Sequence, residues 1–215
     1  MRVRITFSKQ GALRYTGNLD LHKLWERAAR RANLPLSYSQ GFHPQPKINL
    51  AAALPLGFSS SGEMMDIRLN EDLPLEEISA RLKDSLPAGI QIINVESVEE
   101  RAPALQTQIL SATYEVHLTE PIDGSELTQK VEQIMMSESL PRERRGKPYD
   151  LRPLIEMLSV VTEANGEVWL RMTLATREGA TGRPEETLDV LGISADTARV
   201  ERTRLIFVSE VPQNN

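Results

Sequence analysis

The 215-residue chain carries 25 Lys/Arg against 30 Asp/Glu, a formal net charge of −5, with 40% hydrophobic residues and no cysteine. The missing cysteines exclude disulfides, thiolate zinc sites, cysteine-ligated iron–sulfur clusters and a cysteine nucleophile. No apolar run approaches the roughly 20 residues of a membrane span, and the alternating start Met1–Phe7 reads as a strand and not as a signal peptide. A cytoplasmic protein with no membrane contact is expected.

Charge is unevenly spread. The first fifty residues hold nine cations (Arg2, Arg4, Lys9, Arg14, Lys23, Arg27, Arg30, Arg31 and Lys47) against Asp20 and Glu26, which leaves the remainder at −12. An acidic chain can therefore still carry a local anion-binding face.

Residues 2–8 alternate as a strand, and Lys9-Gln10-Gly11 turns the chain. A helix over 18–33 follows, with Asn18 as N-cap and Asp20 in the first turn, where a carboxylate suits the helix dipole. Its buried stripe is Leu21, Leu24, Trp25, Ala28 and Ala32, and Asn33 and Pro35 end it. Residues 36–53 are extended but broken by Gly41, Pro44 and Pro46. Strands are predicted over 48–54 and 63–69, a helix over 73–86, and a strand over 90–98. The order is β-α-β-β-α-β, the ferredoxin-like arrangement.

Glu99–Pro103 reads as a linker. Beyond it the pattern recurs: a strand over 108–118, a helix over 125–136, an ambiguous apolar stretch over 148–162, a strand over 167–176, a helix over 184–191 and a last strand over 200–209. The expected fold is α+β, two consecutive ferredoxin-like units at residues 1–100 and 106–211.

At 100° per residue, Lys23, Arg27, Arg30 and Arg31 fall within about a 100° arc opposite the apolar stripe. Four cations on one face suit a run of phosphates, and arginine suits bidentate contacts to them. The segment Ser39–Lys47 is stiffened by two prolines. Phe42 and His43 can stack on unpaired bases beside Lys47. Leu54–Glu63 holds two glycines and three serines, a loop able to cradle an anion, though without the Gly-Lys-Ser/Thr ending of a phosphate loop. Arg142–Pro153 is the second half's dense basic segment, and Arg144, Arg145, Lys147 and Arg152 are its candidate contacts. Gly182-Arg183-Pro184 reads mainly as a helix start. His22 at i−4 from Glu26 suggests a surface pair. His22 or His43 could alternatively serve metal-independent RNA cleavage by general acid–base catalysis. Three scattered histidines give no metal site.

Leu19-Asp20-Leu21, Glu26-Arg27-Ala28 to Arg30-Arg31-Ala32, Gly41-Phe42-His43-Pro44-Gln45-Pro46, Ala53-Leu54-Pro55-Leu56-Gly57 and Glu63 form a further pattern. In these residues the chain resembles the bacterial radical-SAM-linked protein family, a domain of unknown function found beside, or fused to the C-terminus of, a radical SAM protein. Asp150-Leu151-Arg152-Pro153 and Arg183-Pro184-Glu185 extend the resemblance over nearly the whole chain. Where family members show Ser-His before Leu-Asp, this chain has Gly17-Asn18, so a role for that histidine is not carried over. The resemblance implies a radical SAM protein as partner, with the iron–sulfur cluster and S-adenosylmethionine held by that partner and no cofactor in this chain. Members near or fused to ribonuclease E/G-type proteins, and the doubled architecture of CRISPR repeat-processing endonucleases, point to RNA. The expected function is a non-catalytic RNA-binding accessory role. The alternatives are an RNA endonuclease and an adaptor docking an acidic partner.

Overall fold

The computed structural model describes residues 1–177 and 179–210. The fold is mixed α+β, and the chain divides into two compact units, Met1–Ile109 and Leu110–Asn215. The division falls just past the expected linker, because Leu105–Gln108 forms a short helix whose Leu105 is buried in place of a free tether.

In the first unit the elements are β1 (Arg2–Lys9), α1 (Asn18–Arg31), β2 (Ile48–Leu50), β3 (Ser59–Arg68), α2 (Leu75–Lys83) and β4 (Ile90–Val98). Strand β1 lies between β3 and β4, antiparallel to both, and β2 pairs with the outer edge of β3, giving the order β4-β1-β3-β2. Alternation sends Val3, Ile5 and Phe7 to one face of β1. There they join Leu21 and Trp25 of α1, Met65 and Ile67 of β3, and Ile78 and Leu82 of α2 in one core. The rings of Phe7 and Trp25 meet edge to face, 4.7 Å between centroids. Each fully buried aliphatic side chain contributes about 1.5–3 kcal/mol.

Helix α1 starts one residue earlier than its expected cap: Gly17 is the N-cap, and Asn18 is already helical. Its end is as the sequence predicts in kind. Asn33 adopts a left-handed φ of 50°, its N–H reaches the Arg30 carbonyl at 3.1 Å and the Leu34 N–H reaches Ala29 at 3.1 Å, a Schellman closure. Strand β3 begins at Ser59, four residues before the expected start, so Ser59–Ser61 belong to a strand and not to a donor-rich loop; Ser60 is fully buried.

The second unit contains β5 (Ile109–Leu118), α4 (Gly124–Met136), β6 (Pro141–Arg144), β7 (Lys147–Asp150), β8 (Ile155–Thr162), β9 (Val168–Arg177), β10 (Ala180–Thr181), α5 (Pro184–Leu191) and β11 (Ala198–Phe207); the short helix before β5 is α3. Strand β9 pairs antiparallel with β5 on one side and with β8 and β10 on the other, and β11 flanks β5. The order is β11-β5-β9-β8. The ambiguous 148–162 stretch resolves into the end of β7, a helical turn at Arg152–Leu154 containing Pro153, and the whole of β8. Strands β6 and β7 form a hairpin turned by Arg145 (φ 53°) and Gly146 (φ 75°). Two successive positive φ values define the tight turn whose twist suits a hairpin.

Among the described residues no helix is long and apolar enough to cross a membrane, and no cluster of three His, Asp or Glu could hold a metal ion.

Candidate nucleic-acid interface

Because Leu21, Trp25, Ala28 and Ala29 bury against the sheet, the opposite side of α1 is left outside, and Lys23, Arg27, Arg30 and Arg31 are all exposed. The four are not equivalent. Arg30 is held by Glu26, with Nη2 donating to Oε1 at 2.8 Å, and its guanidinium lies 5.9 Å from the centre of the Tyr38 ring. Lys23, Arg27 and Arg31 have no ion-pair partner among the described residues. With Asp20, Leu24 and Pro87 they line a hollow of about 360 Å³. The carboxylate, Leu24 and Pro87 are the parts of this site that sequence reading missed. Asp20 lies at i−3 from Lys23, a spacing that brings two side chains onto one face. Pro87, distant in sequence, left no signal.

The Phe42 loop is a stiff finger. Ser39 and Lys47 donate backbone hydrogen bonds to Gln45 and Ser37 at 2.8 Å, Ser37 donates to Arg68 at the end of β3, and Tyr38 pairs with Pro46. Gly41, with φ 130°, sits at the tip, a conformation open essentially to glycine. Phe42 is 102% exposed relative to an extended reference, so it is not a core residue. His43 and Lys47 are also exposed. The base of the finger stands beside Arg30 through Tyr38, on one flank of α1.

Three other cations of the first fifty residues, Arg2, Arg4 and Lys9, are inside. Arg2 and Arg4 point to the face of β1 opposite the helices, and both grip Asp66 of β3. Arg2 Nε and Nη2 donate to Oδ2 at 2.9 and 2.6 Å, and Arg4 Nε donates to Oδ1 at 2.9 Å. Arg2 also donates to the carbonyls of Ala102 and Pro103 at 2.6 and 2.7 Å. Lys9 is buried as well.

The histidines separate. The expected His22–Glu26 pair does not form: His22 Nε2 lies 3.1 Å from the Ile48 carbonyl oxygen, and Glu26 is taken by Arg30. His117 stacks on Trp169 and meets Glu167 at 3.3 Å.

In the second unit the basic hairpin is mostly tied down. Arg144 pairs with Glu186 of α5, Nε donating to Oε1 at 2.9 Å, and lies 4.7 Å over the Tyr149 ring. Arg142 pairs with Asp189. Arg152 donates to the carbonyls of Ile155 and Met135 at 2.9 and 2.8 Å. Arg145 and Lys147, at the tip, are exposed without a partner among the described residues. These contacts set the local titration. Burial works to raise the Glu186 carboxyl, but hydrogen bonding and charge from Arg144 prevail and hold it below its ordinary value. Asp150 is held low by the N–H groups of Leu140 and Arg152, which donate to Oδ1 at 2.7 and 2.9 Å. Burial pushes the Tyr149 hydroxyl up, beside Glu186.

A family model described as an uncharacterised protein conserved in bacteria, DUF2344, matches residues 2–184. The chain belongs to this family. No curated protein is significantly similar to it in sequence. Among solved structures, a chain from a crystal structure of a Cbf5–Nop10–Gar1 complex is similar with a TM-score of 0.51 at 11% identity, over 94% of this chain and 48% of that one. The DUF2344 chain thus spans about half the length of that neighbour, and the likeness concerns the fold. A putative glycine cleavage system transcriptional repressor aligns over 96% of both chains at 12% identity, with a TM-score of 0.26.

Proposed function

We propose that this DUF2344 protein is a cytoplasmic, RNA-binding accessory protein that presents its ligand to a radical SAM enzyme, and that each of its units is a ferredoxin-like β-α-β-β-α-β fold. The strand orders β4-β1-β3-β2 and β11-β5-β9-β8, with a helix after the first and third strand of each set, support the fold reading. The radical SAM partner rests on the motifs at Gly41–Pro46 and Ala53–Gly57. The iron–sulfur cluster and S-adenosylmethionine would belong to that partner.

The observation that carries the RNA reading is the row Lys23, Arg27 and Arg31. Three exposed cations without internal counter-ions surround one hollow in a chain of net charge −5. Several other arginines are neutralised within the fold, as Asp66 does for Arg2 and Arg4 and Glu186 for Arg144. Close like charges repel one another and suit a polyanion whose phosphates release counter-ions on binding. Phe42 and His43 would offer stacking surfaces nearby, with Lys47 as a further backbone contact. Arg145 and Lys147 would form a second, smaller contact. Arg144 and Arg152 would position that hairpin.

The test is binding of labelled single-stranded and hairpin RNAs at several salt concentrations, comparing the native chain with the double variant Arg27→Gln/Arg31→Gln. Each phosphate contact contributes about −0.7 to the logarithmic salt slope of a single strand, so the variant is expected to bind more weakly across sequences and to flatten the slope by roughly one to two units. Unchanged affinity and slope would leave the row as solvated surface, and docking of an acidic protein partner would then be the better reading.

A further inference from the structure

We infer that Asp20 makes the α1 hollow select RNA over DNA, by accepting a hydrogen bond from a ribose 2′-hydroxyl of a strand whose successive phosphates rest on Lys23, Arg27 and Arg31. The inference rests on the reading of α1 as an RNA-binding face and names how that face discriminates.

The geometry is that of a single stripe. At 100° per residue, positions 20, 23, 27 and 31 fall within an arc of about 80°. At 1.5 Å rise per residue, Lys23 to Arg27 and Arg27 to Arg31 are each about 6 Å along the axis, an interval that a nucleic-acid strand bridges from one phosphate to the next. A straight row on one helix therefore follows one strand, parallel to α1. The row is headed by a carboxylate. Asp20 lines the same hollow as the three cations, is exposed, and has no hydrogen-bond or ion-pair partner among the described residues.

A carboxylate in a phosphate-binding row weakens binding unless it receives a proton donor. Its first-turn position on α1 suits the helix dipole, but that position is equally served by carboxylates facing elsewhere. Along a polynucleotide the donors are base N–H groups and the 2′-hydroxyl. Bases project away from a backbone laid against the helix, whereas the 2′-hydroxyl sits beside the phosphate. It is the donor within reach of a carboxylate three residues from the phosphate-binding Lys23. DNA has no such group and would bring an unpaired, partly desolvated carboxylate against its sugar. The 2′-hydroxyl is the group by which a protein distinguishes the two nucleic acids at a given site.

The experiment measures binding of one single-stranded sequence synthesised as RNA and as DNA, to the native chain and to Asp20→Ala and Asp20→Asn. The native chain is expected to prefer RNA by about tenfold, the worth of one hydrogen bond to a charged group. Asp20→Ala is expected to abolish the preference by lowering RNA affinity and raising DNA affinity. Asp20→Asn, whose amide oxygen still accepts, is expected to fall between. If Asp20→Ala strengthens binding to both equally, or the native chain binds both equally, the inference is overturned while RNA binding by the cation row stands. If the native chain binds neither nucleic acid, both readings fall.

Discussion

Arg2 and Arg4 on β1 and Arg27 and Arg31 on α1 belong to the same unit and the same cation-rich stretch, yet they meet opposite fates. Strand β1 is buried on both faces, so its arginines reach the interior and must bring a carboxylate with them; Asp66 accepts from both. Helix α1 is buried along one stripe only, so Arg27 and Arg31 stay in water and need no partner. A count of positive residues cannot separate the two cases. The number of buried faces of the element that carries them can.

The comparison breaks most decisively at Asp66. Asp66→Asn leaves two buried guanidiniums without their counter-charge and is expected to cost about 3–5 kcal/mol, as for other broken buried pairs. Urea unfolding of the intact chain measures it. The same measurement on Arg27→Gln/Arg31→Gln should stay within about 0.5 kcal/mol of the native chain. A mild effect of Asp66→Asn would mean that the β1 arginines are as well solvated as those of α1.

An effect of intermediate size lies in the second unit, where Arg144 resembles the β1 arginines more than those of α1. Its partner Glu186 is depressed in the folded chain. Stability from this pair is therefore present above the ordinary glutamate value of about 4.3 and is lost as pH falls through the lower folded value. Glu186→Gln should lower stability by about 1.5–3 kcal/mol at neutral pH and flatten the acid limb of the urea midpoint against pH. Parallel acid limbs in variant and native chain would show the pair to be solvent-screened.

The smallest effect on folding is expected at Phe42, whose ring is wholly outside. Phe42→Ala should leave the urea midpoint in place. If a base stacks on the ring, the same change lowers RNA affinity by about 1–3 kcal/mol, read by titration of a labelled single strand. Unaltered RNA affinity would confine the interface to α1.

Much of this architecture was legible in the sequence because periodicity marks buried faces. The Leu21, Trp25 and Ala28 stripe placed α1, and the exposure of Lys23, Arg27, Arg30 and Arg31 followed from it. The β3 start was not legible: Ser59-Ser60-Ser61-Gly62 has loop composition, and strand pairing with β1 overrides it. The Arg142–Pro153 segment reads as an exposed loop or a charged hairpin; the hairpin forms, and the contacts to α5 that hold Arg142 and Arg144 leave no periodic trace in the sequence. Asp20 was legible as a helix-start residue but not as part of a hollow, because Pro87 completes that hollow from a distant turn. The fate of Arg2 and Arg4 was hidden for the same reason: Asp66 lies more than sixty residues away.

Lys9, at 1% exposure, sits at the far end of β1 from the chain terminus. Amine-acylating reagents can reach its amine only in molecules in which the structure around Lys9 has opened, so the rate of its modification reports the free energy of that opening. Lys23 and Lys47 lie outside and label without any opening. A single mass-spectrometric time course on the untreated protein thus carries two signals: a slow lysine that times the breathing of the sheet, and two fast ones that fall silent only when something covers the surface.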